Sequence, residues 1–334
     1  MNDDEIRSAV EGLLTNLGKV VWDEEKHDRK EGGLSAVIGF GDSMRRIDIE
    51  YVSNGSPKAI NEFAGRLLDR TDKDVLNLLV APFFSKRGLD LCKRKGISCM
   101  DLSGNAYIRS VSLLIDRQGR ENRFKVVRKQ VNLFSKKSSW VVRTLLSSPQ
   151  RGWTMKEMSD ASGVSLAQAF KVTDALQEEG FLVKERGDIR LTDPSGLLDS
   201  WASSYQLDKD AVVGYYSPLK EKEQVFERLR RYDGDYALTM GAGAGMVAPA
   251  VRSTDVYMYT KDVDGIKGVL DLVPVEFGGN VYVIEVGDEG KMRDVQEIDG
   301  LRVVSDLQLY LDLFKYPQRG REQADMIRAR RLKF

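Results

Sequence analysis

Residues Thr154 to Leu191 read TMKEMSDASGVSLAQAFKVTDALQEEGFLVKERGDIRL, and this stretch decides the reading of the chain. Thr154-Met155-Lys156-Glu157 has the form of a capping box. The threonine hydroxyl accepts from an orphan N–H of the first helical turn, and the glutamate reaches back to the N–H of the cap residue. Gly163 offers the left-handed conformation that ends such a short helix. Eleven residues after the first box the pattern returns as Ser165-Leu166-Ala167-Gln168. Two short helices joined by a brief Gly-containing turn make a helix-turn-helix.

The third helix is expected to turn Leu166, Ala169, Val172 or Thr173, and Leu176 inward and Ala167, Gln168, Lys171 and Asp174 outward. Phe170 falls at the edge of the inward stripe and is expected in the core. After Gly180, two strand-like runs flank the turn Arg186-Gly187-Asp188 and form a hairpin, the wing. A preceding helix from about Ser139 to Leu146 stops at Ser147-Ser148-Pro149. Residues 119–200 therefore read as a basic segment and a winged helix-turn-helix.

Such a unit lays the start of its third helix in the major groove of duplex DNA. That nominates Ser165, Ala167, Gln168 and Lys171 beside the bases, with capping as the rival duty of Gln168. Lys184, Arg186 and Arg190 of the wing are candidates for phosphate or minor-groove contacts. Between positions 117 and 151 the chain carries Arg117, Arg120, Arg123, Lys125, Arg128, Lys129, Lys136, Lys137, Arg143 and Arg151 against Glu121 alone. Such a concentration suits a phosphate-tracking surface, because each neutralised phosphate releases counterions. Arg128, Lys129, Lys136, Lys137, Arg143 and Arg151 join the candidate DNA-binding set.

Residues 1–118 read as an α/β domain with a mixed sheet. Ile6, Val10, Leu13, Leu14 and Leu17 repeat with helical period. Two strand-like stretches, Leu34 to Phe40 and Arg46 to Val52, the second alternating Ile47 and Ile49 against Asp48 and Glu50, are expected to pair. The apolar strand Val75 to Ala81, a helix near Lys86 to Lys95 and the strand Ile97 to Leu102 imply a parallel pair. Residues 201–334 return to α/β, with strands at Tyr236 to Met240, Val256 to Tyr259 and Val281 to Ile284. Gly241-Ala242-Gly243-Ala244-Gly245-Met246 follows a strand, but its spacing departs from the dinucleotide fingerprint, so a close strand-to-helix turn is expected. Ser305 and Gln308 form a third box. The cations Arg328, Arg330, Arg331 and Lys333 are expected first to offset a helix dipole.

The order of several further runs resembles the AbiEi family of antitoxins and transcriptional regulators of type IV toxin-antitoxin systems. These are Leu79-Val80-Ala81-Pro82, Asp101-Leu102-Ser103-Gly104-Asn105, the winged helix running into Leu191-Thr192-Asp193-Pro194-Ser195-Gly196-Leu197-Leu198-Asp199-Ser200-Trp201-Ala202, and Val304-Ser305-Asp306-Leu307-Gln308-Leu309-Tyr310-Leu311-Asp312-Leu313. The resemblance implies a DNA-binding repressor of its own operon and an antidote to a partner nucleotidyltransferase toxin. The leading domain also resembles the restriction-endonuclease-like fold, in which an Asp and a Glu-x-Lys on neighbouring strands hold Mg²⁺. Asp48 and Glu50 could mimic the first carboxylate, but Val80-Ala81-Pro82-Phe83 stands where an acid and a lysine are required, so an inactive relative is expected. Asp101 and Asn105 are read as builders of the turn around Ser103-Gly104.

Composition bounds these readings. At 334 residues, 42% of them hydrophobic, the chain can build several cores. Its 51 basic and 51 acidic side chains cancel, so nucleic-acid binding must rest on where charges lie. Cys92 and Cys99 are too few for a disulfide framework and read as small buried hydrophobes. The one histidine, His27, sits in a charged run, which argues against His-based metal or triad chemistry. No apolar run approaches the roughly 18 residues of a membrane span, and Met1 to Val10 lacks a signal-peptide pattern, so a cytoplasmic location is expected. The expectation is a multidomain α/β and α+β protein that binds double-stranded DNA as a transcriptional regulator, is not an enzyme, and needs no cofactor or metal. Palindromic operators would suit a homodimer. The rival readings are a Mg²⁺-dependent nuclease and a protein-interaction module.

Overall fold

The computed structural model describes the chain except for residues 1–2, 16–17, 24–32, 41–42, 69–74, 111–112, 125–130, 186, 208–210 and 252. It is a mixed α/β protein that divides into two compact units, residues 1–130 with 174–180, and residues 131–173 with 181–334. The sequence pattern separates a winged helix from a C-terminal α/β segment, whereas most of both lies in the second unit.

The first unit runs α1 (Asp3–Leu14), β1 (Val20–Trp22), β2 (Gly33–Phe40), β3 (Ser43–Tyr51), α2 (Pro57–Leu68), β4 (Leu76–Ala81), α3 (Lys86–Lys95), β5 (Ser98–Asp101), β6 (Ala106–Arg109) and β7 (Leu114–Arg117). The seven strands form one sheet in sequence order, with β3, β4 and β5 parallel and the flanking pairs antiparallel. Parallel strands are covered on both faces. That is why β4 reads as a nearly unbroken apolar run, with Leu78, Leu79, Val80 and Ala81 fully buried. Ile47, Ile49, Leu78 and Val80 pack beneath Ile6, Val10, Leu13 and Leu14 of α1. On the other face Leu79, Ala81 and Cys99 meet Ile60 and Phe63 of α2 and Leu89 and Cys92 of α3. The result is three layers with two apolar cores. Both cysteines are free and buried, and the hydrogen bond to Cys99 together with burial pushes the Cys92 thiol up.

The second unit opens with α4 (Lys136–Ser147), α5 (Met155–Ser162), α6 (Leu166–Glu178, of which residues 174–178 belong to the first unit), the hairpin β8 (Leu182–Glu185) and β9 (Asp188–Leu191), and α7 (Pro194–Ser204). Beyond it come β10 (Val212–Tyr216), α8 (Lys222–Arg230), β11 (Ala237–Thr239), α9 (Met240–Val247), β12 (Val256–Thr260), α10 (Val263–Leu270), β13 (Val273–Pro274), β14 (Val281–Glu285), β15 (Gln296–Ile298), β16 (Leu301–Val303), α11 (Asp306–Phe314) and α12 (Gly320–Ile327). The second sheet has the order β13-β10-β14-β12-β11-β16-β15 and mixes parallel with antiparallel pairs. Helix α9 starts directly at the end of β11, and α11 packs against both α4 and α7.

Among the described residues, no helix is long and apolar enough to cross a membrane.

Candidate nucleic-acid interface

Local chemistry fixes the helix-turn-helix first. The Thr154 N–H donates to Glu157 Oε2 at 2.8 Å, and the Glu157 N–H donates to Thr154 Oγ1 at 3.2 Å, which closes the reciprocal box. These bonds hold the Glu157 carboxyl below its ordinary range, with Arg151 adding to the effect. Gly163 ends α5 at φ 68°, and its N–H donates to Ser159 O at 2.9 Å. In that left-handed region a side chain would be strained. Val141, Val142, Leu145, Trp153, Met158, Ala169, Val172, Leu182 and Ile189 are buried. Trp153 exchanges two backbone hydrogen bonds with Ile189, of 3.0 and 2.8 Å, and so pins the wing.

The second serine-led box is only half made. The Gln168 N–H donates to Ser165 Oγ at 3.3 Å, but the Gln168 side chain turns away and donates to Ser138 Oγ at 3.0 Å. Instead of capping its own helix, the amide bonds to α4. Ser165, Ala167 and Lys171 are exposed. Phe170, expected in the core, is 47% exposed, and Leu166, expected inward, is 48% exposed. Ala169, Val172, Thr173 and Leu176 already complete the buried arc, which leaves both larger side chains outside it.

The wing separates its cations. Val183 pairs with Arg190 and Lys184 with Ile189, so side-chain alternation puts Lys184 on the face of the buried Leu182 and Ile189, and Arg190 on the opposite face. The Lys184 ammonium lies 5.7 Å from the Phe170 ring centre. Arg190 is exposed and paired with Asp188. Arg186, Arg128 and Lys129 lie outside the described residues.

The basic run is divided between the two compact units. Arg117, Arg120 and Arg123 belong to the first unit, and Lys136, Lys137, Arg143 and Arg151 to the second. Lys136 and Lys137 are exposed at the start of α4. Arg151 is exposed, stacked 3.9 Å from the Trp153 ring centre and paired with Glu157 at 3.2 Å.

Arg143 must be withdrawn from the candidate DNA contacts. It is 3% exposed and its Nη2 donates to Gln308 Oε1 at 2.6 Å. From there a buried network runs through the C-terminal segment. Gln308 Nε2 donates to Asp312 Oδ1 at 2.6 Å, the Tyr205 and Tyr259 hydroxyls donate to the same oxygen at 2.7 and 3.0 Å, and the Thr239 hydroxyl donates to Asp312 Oδ2 at 2.6 Å. Burial pushes the Asp312 carboxyl up and the Arg143 guanidinium down, as desolvation must for each sign of charge. Arg143 Nε has no hydrogen-bond partner, and the guanidinium sits 4.9 Å from the Trp201 ring centre. A sequence cannot distinguish such a cation from its exposed neighbours, because its acceptor lies 165 positions away.

Arg328 likewise does more than offset a helix dipole. It bonds to Ser195 and Asp199 of α7 and to the backbone oxygen of Phe334, tying the segment after the wing to the C-terminal helices.

The carboxylates considered for metal chemistry are engaged elsewhere. Asp48 accepts from Ser35 Oγ at 2.8 Å and from Arg46 Nε at 2.9 Å, and Glu50 pairs with Arg66. Asn77 and Leu79 stand opposite them on β4. Among the described residues, no three His, Cys, Asp or Glu side chains are grouped to hold a metal ion. Asp101 accepts from the Phe84 N–H at 3.0 Å and the Asn105 N–H at 2.9 Å, and the Asn105 amide also donates to Asp101, so these residues brace the turn. In the glycine run, a Cβ on Gly243 would stand 2.9 Å from Leu238 O and 3.0 Å from Leu309, and one on Gly241 2.5 Å from Ser253 Cβ. Close packing accounts for both glycines.

No known protein family matches the chain, and no curated protein or solved structure matches it.

Proposed function

We propose that the chain binds double-stranded DNA through its winged helix and acts as a transcriptional regulator. The observation that carries this reading is the start of α6. Its outward arc, Leu166, Ala167, Phe170 and Lys171, is exposed, and the turn that precedes it is held by a complete capping box and Gly163. Exposed Lys136 and Lys137 at the start of α4 add positive charge within the same unit. A helix presented in this way fits the major groove, and cations nearby can neutralise phosphates.

The resemblance of sequence extends the proposal to an autoregulating antitoxin with a nucleotidyltransferase partner and to a homodimer on a palindromic operator. A second reading, a protein-docking module, is favoured by one observation. Leu166, Phe170 and Val183 are large, apolar and exposed.

Titration of the full-length protein into a labelled duplex of about 25 base pairs, long enough to span two half-sites one helical turn apart, separates the two readings. Duplex binding at low salt that weakens steeply as salt rises is the expected outcome. No binding to any duplex at low salt would overturn the DNA reading and leave protein docking in its place.

A further inference from the structure

The exposed arc of α6 differs in chemistry from the groove-reading surface that its polar residues lead one to expect. Positions 166, 167, 170 and 171 share one side of a helix of 3.6 residues per turn. Three of the four are hydrocarbon, namely Leu166, Ala167 and Phe170. The one amide at the start of the helix, Gln168, is turned out of the arc toward Ser138. The Ser165 oxygen accepts from the Gln168 N–H. The paired hydrogen bonds by which amides read adenine are therefore not offered by this face.

Two cations border the apolar strip. Lys171 continues the arc, and the Lys184 ammonium lies 5.7 Å from the Phe170 ring centre. Within a major groove, a hydrocarbon strip between cations finds one apolar complement, the C5-methyl group of thymine, between two rows of phosphate.

We infer that Leu166, Ala167 and Phe170 read thymine methyl groups, with Lys171 reaching the O6 and N7 acceptors of a neighbouring guanine. The inference rests on the proposed duplex binding and names the feature of the duplex that is recognised. Removing one methyl from an apolar contact weakens binding about fourfold.

The test uses the full-length protein and a duplex selected by it from a random-sequence pool. The best-bound duplex is resynthesised with deoxyuridine in place of every thymidine, which deletes the methyl groups and keeps every base pair. The native protein is expected to bind the deoxyuridine duplex about fourfold more weakly for each methyl in contact. Phe170→Ala and, separately, Leu166→Ala should narrow that discrimination, and both side chains are exposed enough for folding to survive. Equal binding of the two duplexes by the native protein, when the thymidine duplex is bound well, overturns methyl reading and leaves DNA binding standing. Discrimination that persists undiminished in both variants also overturns the assignment to these residues. If selection enriches no duplex, methyl reading falls, and if in addition no duplex is bound at low salt, the DNA reading falls with it and the apolar arc becomes a protein-docking face.

Discussion

Arg143 of α4 and Gln308 of α11 share one buried hydrogen bond of 2.6 Å, although 165 positions separate them. The bond joins the helix-turn-helix to the C-terminal α/β segment inside a single unit. Arg143→Ala would leave the Gln308 oxygen without its donor and open a void beside Trp201. An unfolding loss of about 2–4 kcal/mol is expected. Denaturant titration measures the loss, and DNA titration at two salt concentrations should show an unchanged salt slope. A flattened slope would return Arg143 to the phosphate contacts.

Lys136 and Lys137 should behave in the opposite way. Each is exposed, so replacement by alanine is expected to change stability by less than about 0.5 kcal/mol. Deleting an ammonium that grips a phosphate should weaken all duplex sequences alike and reduce the salt slope by about one unit. Lys171→Ala, by contrast, should cost about 1–3 kcal/mol at a preferred sequence and less on random DNA.

The capping box supplies a pH test. The Thr154 N–H and hydroxyl hold the Glu157 carboxyl below its ordinary range. A lowered folded value means that the stabilisation is present above the unfolded value and disappears as pH falls through the folded one. Glu157→Gln should therefore lower the melting temperature at neutral pH, and the gap should close only as pH falls below the ordinary carboxylate range. A difference that stays constant over this range would remove the ionised carboxylate from the cap.

The glycine run gives two substitutions of opposite sign. Gly243→Ala would press a methyl against the Leu238 carbonyl and Leu309, and a loss of about 1–3 kcal/mol is expected. Nothing lies within 4 Å of the Cβ position at Gly245, inside the same helix, so Gly245→Ala should stabilise by about 0.5–1 kcal/mol. Chemical denaturation of the two variants decides the matter.

How much can be read from the chain depends on the range of the forces involved. Thr154, Glu157 and Gly163 act on neighbours within one or two turns, so the helix-turn-helix is legible locally. The alternation of Ile47 and Ile49 against Asp48 and Glu50 likewise declares which face of β3 is buried. Ser165-Leu166-Ala167-Gln168 and Ser305-Asp306-Leu307-Gln308 carry the same box signature, yet both glutamine side chains leave the cap, for Ser138 in one case and for the distant Arg143 and Tyr205, with Asp312 of the same helix, in the other. The neutral amide binds a cap N–H less strongly than a carboxylate does, so a distant donor or acceptor can draw it away. Phe170 defeats a local reading for a related reason. Hydrophobicity assigns it to the core, and only the packing of Ala169, Val172, Thr173 and Leu176 leaves no room for it there.

The shared polar interior of the second unit also bears on engineering. A reader module is often transplanted by cutting at its ends and splicing it into a new host. Cutting this one free near Tyr205 would carry away a guanidinium stripped of its amide acceptor and leave behind an aspartate missing one of its hydroxyl donors. Grafts that retain both sides of that seam should express as ordered chimeras, and grafts that divide it should not.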